Sequence, residues 1–418
     1  MTDSLVVDEK LIKEIVGNAD AHITDLQVKD FCEAGDNFTG LIKGAKFSVD
    51  EGGKKSSYDI VVKSARKMVS SDFDLASMMF SKEINVYKQL LRDMQDWKDK
   101  NFGEVDYPLP APHFYYGSIE DRILALDNLK QYGFKMIDKS RGLDFEKCRL
   151  AFETIASFHA LTLAYISWYG EEKFLKDSEY IKDFWYEFLT HEFVSQGMLQ
   201  IHDQSLASVR EMLSAAYSEE IDVIEDFISY GNNHFMPKNF TLYCKPSEKF
   251  NVICHGDLWV NNLLFKADDE GNCVEIKFLD FQLTKYCTPV ADLTYFMSMS
   301  GNTDVIVSRQ DELLEIYFNC LQRESEKFNV PLNYTFTDLK EEYYGLMDFT
   351  LLNCLKSTLF MAAKKEEAHS ADDVENTLSD DAVNKIAEKA TSLAKNANEY
   401  VQDKLINLVR YGRKMNLY

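Results

Sequence analysis

Hydrophobic and polar positions alternate with the period of strands over the first third of the chain and take the period of helices over most of the rest. Residues 8–22 read as a short helix. Three strand-like runs follow at about 23–33, 38–49 and 57–65, the last two joined by the turn DEGGKK (50–55). Over 73–94, Leu75, Met79, Val86, Leu90 and Met94 recur near helical spacing. Pro108, Pro110 and Pro112 interrupt the pattern, and HFYYGSI (113–119) and DRILALDNL (121–129) return to strand. The segment 133–165 then carries a long helix on which Ile155, Ala156, Phe158, His159 and Leu161 crowd toward one face. Residues 170–245 are helical and aromatic. The stretches 310–363 and 382–412 read as long amphipathic helices, the last with Val383, Ile386, Ala390, Leu393, Ala397, Tyr400, Leu405 and Leu408 on one broad stripe.

One stretch inside the helical part reverts to strand. FNVIC (250–254) leads into His255-Gly256-Asp257, NLLFKA (262–267) reads as a strand, DDEGN (268–272) as a turn, and CVEIKFLDF (273–281) as a second strand with Val274, Ile276 and Phe278 alternating. A carboxylate on a loop leaving a buried strand can meet a ligand while its backbone stays fixed, so Asp257 is the first candidate for chemistry. A hairpin turn near Glu270 and Gly271 puts Asn262 almost opposite Asp280. A carboxamide oxygen and a carboxylate at one end of a ribbon suit Mg²⁺, which takes one or two protein oxygens plus waters and phosphates. Taken singly, each of these residues reads equally well as turn chemistry.

Composition narrows the classes. The chain has 418 residues, 45% hydrophobic and 13% aromatic, enough for sizeable cores. Its 46 Lys and Arg against 69 Asp and Glu give a net charge of −23, which argues against nucleic acid as a partner. The eight Cys (32, 148, 244, 254, 273, 287, 320 and 354) show no paired metal spacing and read as buried thiols of a reducing compartment. The first residues carry early acids and no apolar signal region, and no uninterrupted apolar run of about 18 residues occurs, so a cytoplasmic protein without membrane insertion is expected. The acidic, turn-prone segment 366–381 reads as a solvated loop or as a lid over a cationic substrate.

Two features of the amino-terminal part gain meaning from their order. EAGDNFTG (33–40) flanks polar and aromatic residues with Gly35 and Gly40, and glycine lets a backbone approach a phosphate, although the same loop serves as a plain hairpin turn. Lys63 follows on a strand, where a lone lysine is commonly a solvated edge residue. Glu83 sits within the next helix, where an acid is commonly a surface group.

The combination of HGDLWVNN (255–262), DFQ (280–282), a glycine loop, a strand lysine and a helix glutamate resembles the ecdysteroid-kinase-like group, also called CHK-kinase-like. That group is related to choline kinases and aminoglycoside phosphotransferases. The resemblance implies an α+β, protein-kinase-like two-lobed fold. It consists of a small antiparallel-sheet N-lobe over 1–129 that binds nucleotide and a large helical C-lobe over 130–418 with the catalytic and metal loops. It implies ATP and Mg²⁺ as cofactors. Asp257 would accept the hydroxyl proton and His255 would fix the catalytic loop. Asn262 and Asp280 would hold the metal. Gly35, Asn37, Phe38, Thr39, Gly40 and Lys63 would hold the phosphates, Glu83 would pair with Lys63, and the linker at Asp127 and Leu129 would meet the adenine through its backbone.

Pro289-Val-Ala-Asp292-Leu293 matches the position that braces the catalytic loop, and Asp292 is given that structural role. His159 is expected to be a hydrogen-bonded core residue. Only eleven residues separate Asp280 from Asp292, and neither an activation segment nor an APE-like anchor lies between them, which disfavours a protein kinase. The implied reaction is transfer of the γ-phosphoryl group of ATP to a hydroxyl of a small molecule, an ecdysteroid or similar lipophilic alcohol. A cationic acceptor of the choline or aminoglycoside type, and a catalytically inactive binding or scaffold protein, are the alternatives.

Overall fold

The computed structural model describes residues 5–31, 40–51, 53–65, 75–105, 107–183, 192–234, 245–361 and 380–418. The chain divides into two compact units. One comprises the described parts of Met1–Lys135 with Leu264–Leu283, and the other those of Met136–Leu263, Thr284–Ala368 and Asn376–Tyr418.

The first unit is built on β1 (His22–Asp30), β2 (Gly40–Glu51), β3 (Lys54–Ala65), β4 (Phe114–Ser118) and β5 (Ile123–Asp127), in the order β1-β2-β3-β5-β4 with every pair antiparallel. Alternation sends Ala45, Phe47, Val49, Ile60, Val62 and Ala125 to one face, where they form a core with Leu11, Ile12 and Ile15 of the helix Glu9–Ile15. Each large aliphatic side chain so buried is worth about 1.5–3 kcal/mol.

That helix is shorter than the 8–22 expected. Asp8 caps its start by accepting the Leu11 N–H at 2.9 Å, and Gly17 ends the run at φ +71°, freeing His22 to begin a strand. β3 begins three residues before the expected Ser57, with Lys54 and Lys55 opposite Glu51 and Asp50 in the antiparallel register. The helix expected over 73–94 is a longer rod. It comprises Leu75–Asn85, a π-helical turn at Val86–Leu91, and Arg92–Phe102, whose Met94, Trp97 and Lys98 are buried.

The predicted hairpin is present as β7 (Leu263–Ala267) and β8 (Cys273–Phe278). Its turn is held by Asp268, whose Oδ1 accepts the N–H groups of Glu270 and Asn272, and by Gly271 at φ +90°. The lobe boundary expected after Leu129 assigned this hairpin to the helical part. In the structure residues 264–283 group with the sheet unit instead. The cause is local hydrogen bonding: Phe265 bridges to Lys135, the Phe278 N–H donates to Pro110 O at 2.6 Å, and Lys277 Nζ donates to Leu109 O at 3.0 Å.

The second unit is helical. Phe145–Tyr169 buries thirteen residues and packs along Gln310–Lys327, and further helices run at Glu192–Ala216, Ile221–His234, Phe336–Gly345 and Met347–Met361. By length and composition Phe145–Tyr169 could cross a bilayer; 67% of its most apolar window is buried within the protein, as for a core helix. The carboxy-terminal stripe is carried by two helices, Asp380–Lys395 and Glu399–Lys414, parted where the Asn398 side chain caps the second by accepting the Val401 N–H at 3.1 Å. One small antiparallel ribbon, β6 (Val252–Cys254) with β9 (Lys285–Cys287), carries the chain into and out of the His255 loop, a pairing with no forecast in the residue pattern. The aromatic run 184–189 and most of the acidic segment 366–381 lie outside the described residues.

Candidate active site

In the sheet unit, a buried charge cluster forms around Lys63. β3 lies between β2 and β5, so Lys63 is on a central strand, opposite Ile42 on one side and Leu124 on the other, and is no edge residue. Its Nζ donates to Glu83 Oε2 at 2.8 Å and to Asp280 Oδ1 at 2.9 Å. Glu83, on Leu75–Asn85, is 1% exposed. Burial works against the charge on Lys63, but Asp280 and Glu83 together outweigh it and hold the ammonium above its ordinary pKa. Burial raises Glu83 to about 7, with Lys63 opposing and Asp280 adding to the shift.

Asp280 takes a left-handed backbone, φ +66°, a conformation that costs a non-glycine residue energy and clusters at functional positions. Phe281, next in the chain, is fully buried edge-to-face on Tyr87, with centroids 5.4 Å apart. The Tyr87 hydroxyl has no hydrogen-bond partner among the described residues, and burial raises its pKa, Glu83 and Asp280 adding to the effect.

In the helical unit, the loop after β6 is held by its backbone. Gly256 sits at φ +86°, open to glycine without strain, and this turn aims two successive N–H groups at one carboxylate: His255 N–H to Asp292 Oδ2 and Gly256 N–H to Asp292 Oδ1, both 2.8 Å. Asp292 belongs to the helix Val290–Ser300 and is fully buried. Burial alone would raise its pKa, but the His159 hydrogen bond, the fields of His159 and His255, and the Gly256 N–H together hold it below the ordinary value.

His159 stands with Nε2 3.2 Å from Asp292 Oδ2 and Nδ1 2.8 Å from the Tyr317 hydroxyl. With the proton on Nε2 the ring donates to the carboxylate and accepts from the phenol, so His159 is the hydrogen-bonded core residue expected. His159, Cys254 and Asp292 bring ligand atoms within 4.8 Å of one another, a spacing a metal could use. Those atoms are engaged otherwise: Asp292 accepts three N–H donors, and burial pushes the Cys254 thiol well up, holding it protonated. The cluster is a hydrogen-bond knot.

This bracing presents Asp257. Its N–H donates to His255 Nδ1 at 3.3 Å, and His255 is fully buried. Asn262, at the end of the 3₁₀ turn Val260–Asn262, donates Nδ2 to Asp257 O at 2.8 Å and to Asp257 Oδ2 at 3.0 Å. Tyr295 donates its hydroxyl to Asp257 Oδ1 at 2.9 Å. With the amide nitrogen committed to Asp257, the carboxamide oxygen of Asn262 is the acceptor left for a metal, and oxygen donors from Asn and Asp suit Mg²⁺. Tyr295 escaped the sequence reading. The signal was its place three residues after Asp292, on the same helical face.

The remaining expected contacts fare unevenly. Gly35, Asn37, Phe38 and Thr39 lie outside the described residues, and Gly40 pairs with Ala65 as the first residue of β2. At the linker, the Asp127 N–H donates to His113 O at 2.9 Å and its carboxylate accepts from Gln131 Nε2 at 2.9 Å. Leu129 is buried in a small cluster with Phe134 and Leu264, and its carbonyl accepts from Phe134 N–H at 3.3 Å.

Among curated proteins nothing matches this chain. A solved choline/ethanolamine kinase family protein from Mesorhizobium loti aligns over 92% of each chain at 11% identity, with a TM-score of 0.33. The family model described as the ecdysteroid kinase-like family matches residues 34–330, a span that takes in Lys63, Glu83, the His255–Asn262 loop, Asp280 and Asp292. With that match over more than half its length, the chain belongs to the ecdysteroid kinase-like family.

Proposed function

We propose that this protein is an ATP-dependent phosphotransferase that moves the γ-phosphoryl group to a hydroxyl of a small molecule. The observation that carries the reading is Lys63, buried on a central strand and gripping both Glu83 and Asp280, residues 20 and 217 positions away. Phosphoryl transfer asks for positioning and for neutralisation of charge more than for covalent chemistry. In this reading Lys63, oriented by Glu83, meets the phosphates together with the 35–40 loop. The linker at Asp127 and Leu129 contributes backbone groups to the adenine. Asp257 orients the acceptor hydroxyl and takes its proton. Asn262, through its carboxamide oxygen, and Asp280, through its carboxylate, would hold Mg²⁺, and the ion when bound offsets the charge of the nucleotide phosphates.

For the acceptor, the family description favours an ecdysteroid or similar lipophilic alcohol. The net charge of −23 favours a cationic alcohol instead. Incubating the protein with ATP, Mg²⁺ and a panel holding both kinds of alcohol, and measuring ADP release, separates the two. The same assay on Asp257→Ala tests the mechanism: turnover is expected to vanish with the carboxylate, and equal turnover in both proteins removes Asp257 from the chemistry.

A further inference from the structure

The helix Val290–Ser300 meets the 255–260 loop at three points along its length. Asp292 takes the backbone N–H groups of His255 and Gly256, Tyr295 donates to the Asp257 carboxylate, and Ser300 Oγ accepts the Val260 N–H at 3.0 Å. The first and last contacts fix backbone. Only the middle one reaches the side chain proposed to do chemistry.

A carboxylate on a short stem rotates about two torsions, and a held backbone does not hold its oxygens. Asn262 donates to Oδ2 and Tyr295 to Oδ1, so the two oxygens are held by donors from two different residues. A carboxylate offers about four lone-pair sites, more than these two donors fill. The Tyr295 phenol is pinned as the donor: burial, reinforced by Asp257, raises its pKa well above the ordinary value.

We propose that Tyr295 is a positioning residue for phosphoryl transfer, fixing the rotation of the Asp257 carboxylate so that one oxygen faces the acceptor hydroxyl. This rests on the reading of Asp257 as the group that receives the hydroxyl proton. It assigns to the phenol a role distinct from that of Asp292, whose hydrogen bonds to this loop go to the backbone N–H groups of His255 and Gly256.

Tyr295→Phe keeps the ring and removes the donor. For the full-length protein turning over an alcohol from the panel, kcat is expected to fall about 10- to 100-fold while KM for ATP stays within about twofold, as for loss of orientation in the transition state. An unchanged kcat overturns the proposal while leaving the phosphotransferase reading intact.

A second measurement needs no substrate. In urea unfolding of wild type, Tyr295→Phe, Asp257→Ala and the double variant, the two changes are expected to be non-additive by about fivefold in the folding constant. Additivity overturns the contact itself. If the wild-type protein turns over nothing in the panel, the phosphotransferase reading falls, and the unfolding cycle decides on its own whether Tyr295 holds Asp257.

Discussion

The charge cluster of the sheet unit and the braced loop of the helical unit each surround a buried carboxylate with donors, by different means. Around Lys63 the partners are side chains throughout, one ammonium between Glu83 and Asp280. Around Asp292 the partners are two main-chain N–H groups and the His159 ring, and these hydrogen bonds with the fields of His159 and His255 hold the carboxylate low against its burial. An arrangement of charged side chains can be traded for one with a ligand phosphate or a metal, since the partners are exchangeable ions. An arrangement of backbone donors cannot be traded without unfolding the turn. The first suits a group that must change partners on binding, the second a group that must never move.

Substitutions can break this contrast. Asp257→Asn, which removes the charge while Asp292 and Ser300 still hold the backbone of the loop, should lower turnover by about 10³-fold or more, with a melting temperature close to wild type. A large drop in melting temperature would show that Asp257 belongs to the bracing and not to the chemistry.

Asp292→Ala strands two buried N–H groups and the His159 ring at once, and should cost about 3–5 kcal/mol in urea unfolding. Its counterpart Asp280→Ala removes the more accessible member of the other cluster and should cost about 1 kcal/mol or less while abolishing turnover. Equal stability losses would erase the distinction between the two regions.

Lys63→Met should lower kcat/KM for ATP by about 100-fold, read in a steady-state assay with ATP varied. Stability should change little near neutral pH, because Glu83 can take up a proton once its cation is gone.

The smallest effect concerns pH. Glu83 is raised above the ordinary carboxylate value, so its contribution to stability is full below the usual carboxylate range and is lost as pH rises through about 7. Glu83→Gln should therefore flatten this part of the stability curve, and the gap between wild-type and variant urea midpoints should narrow from pH 5 to pH 8. A gap that widens would mean the ion pair with Lys63, not burial, governs the residue.

The residue pattern predicted the element types over most of the chain because burial demands it. Alternation in β2, β3 and β5 has one face to fill, and the 145–169 run has no polar face broad enough for anything but a helix in a core. It erred at ends. The π-turn at Val86–Leu91 and the break at Asn396–Asn398 depend on which carbonyls find donors, and hydrophobicity does not encode that. The candidate site was legible where it rested on a spaced motif, as at Lys63, Glu83, Asp257, Asn262 and Asp280. It was illegible where one contact does the work: Tyr295 is an ordinary aromatic residue of a core helix until its hydroxyl is found 2.9 Å from Asp257.

By itself the sequence determined which residues could carry charge or chemistry, which segments would pair or coil, and the family to which the chain belongs. Only the tertiary structure decided which of those groups touch. It put Lys63 on a central strand between two carboxylates separated from each other by 197 positions, since Glu83 stands 20 and Asp280 217 residues beyond it. It also turned Gly256 so that two N–H groups share Asp292. The reason is physical: composition and period fix what a segment buries, but hydrogen bonds and ion pairs act over about 3 Å, a length that only the folded chain defines.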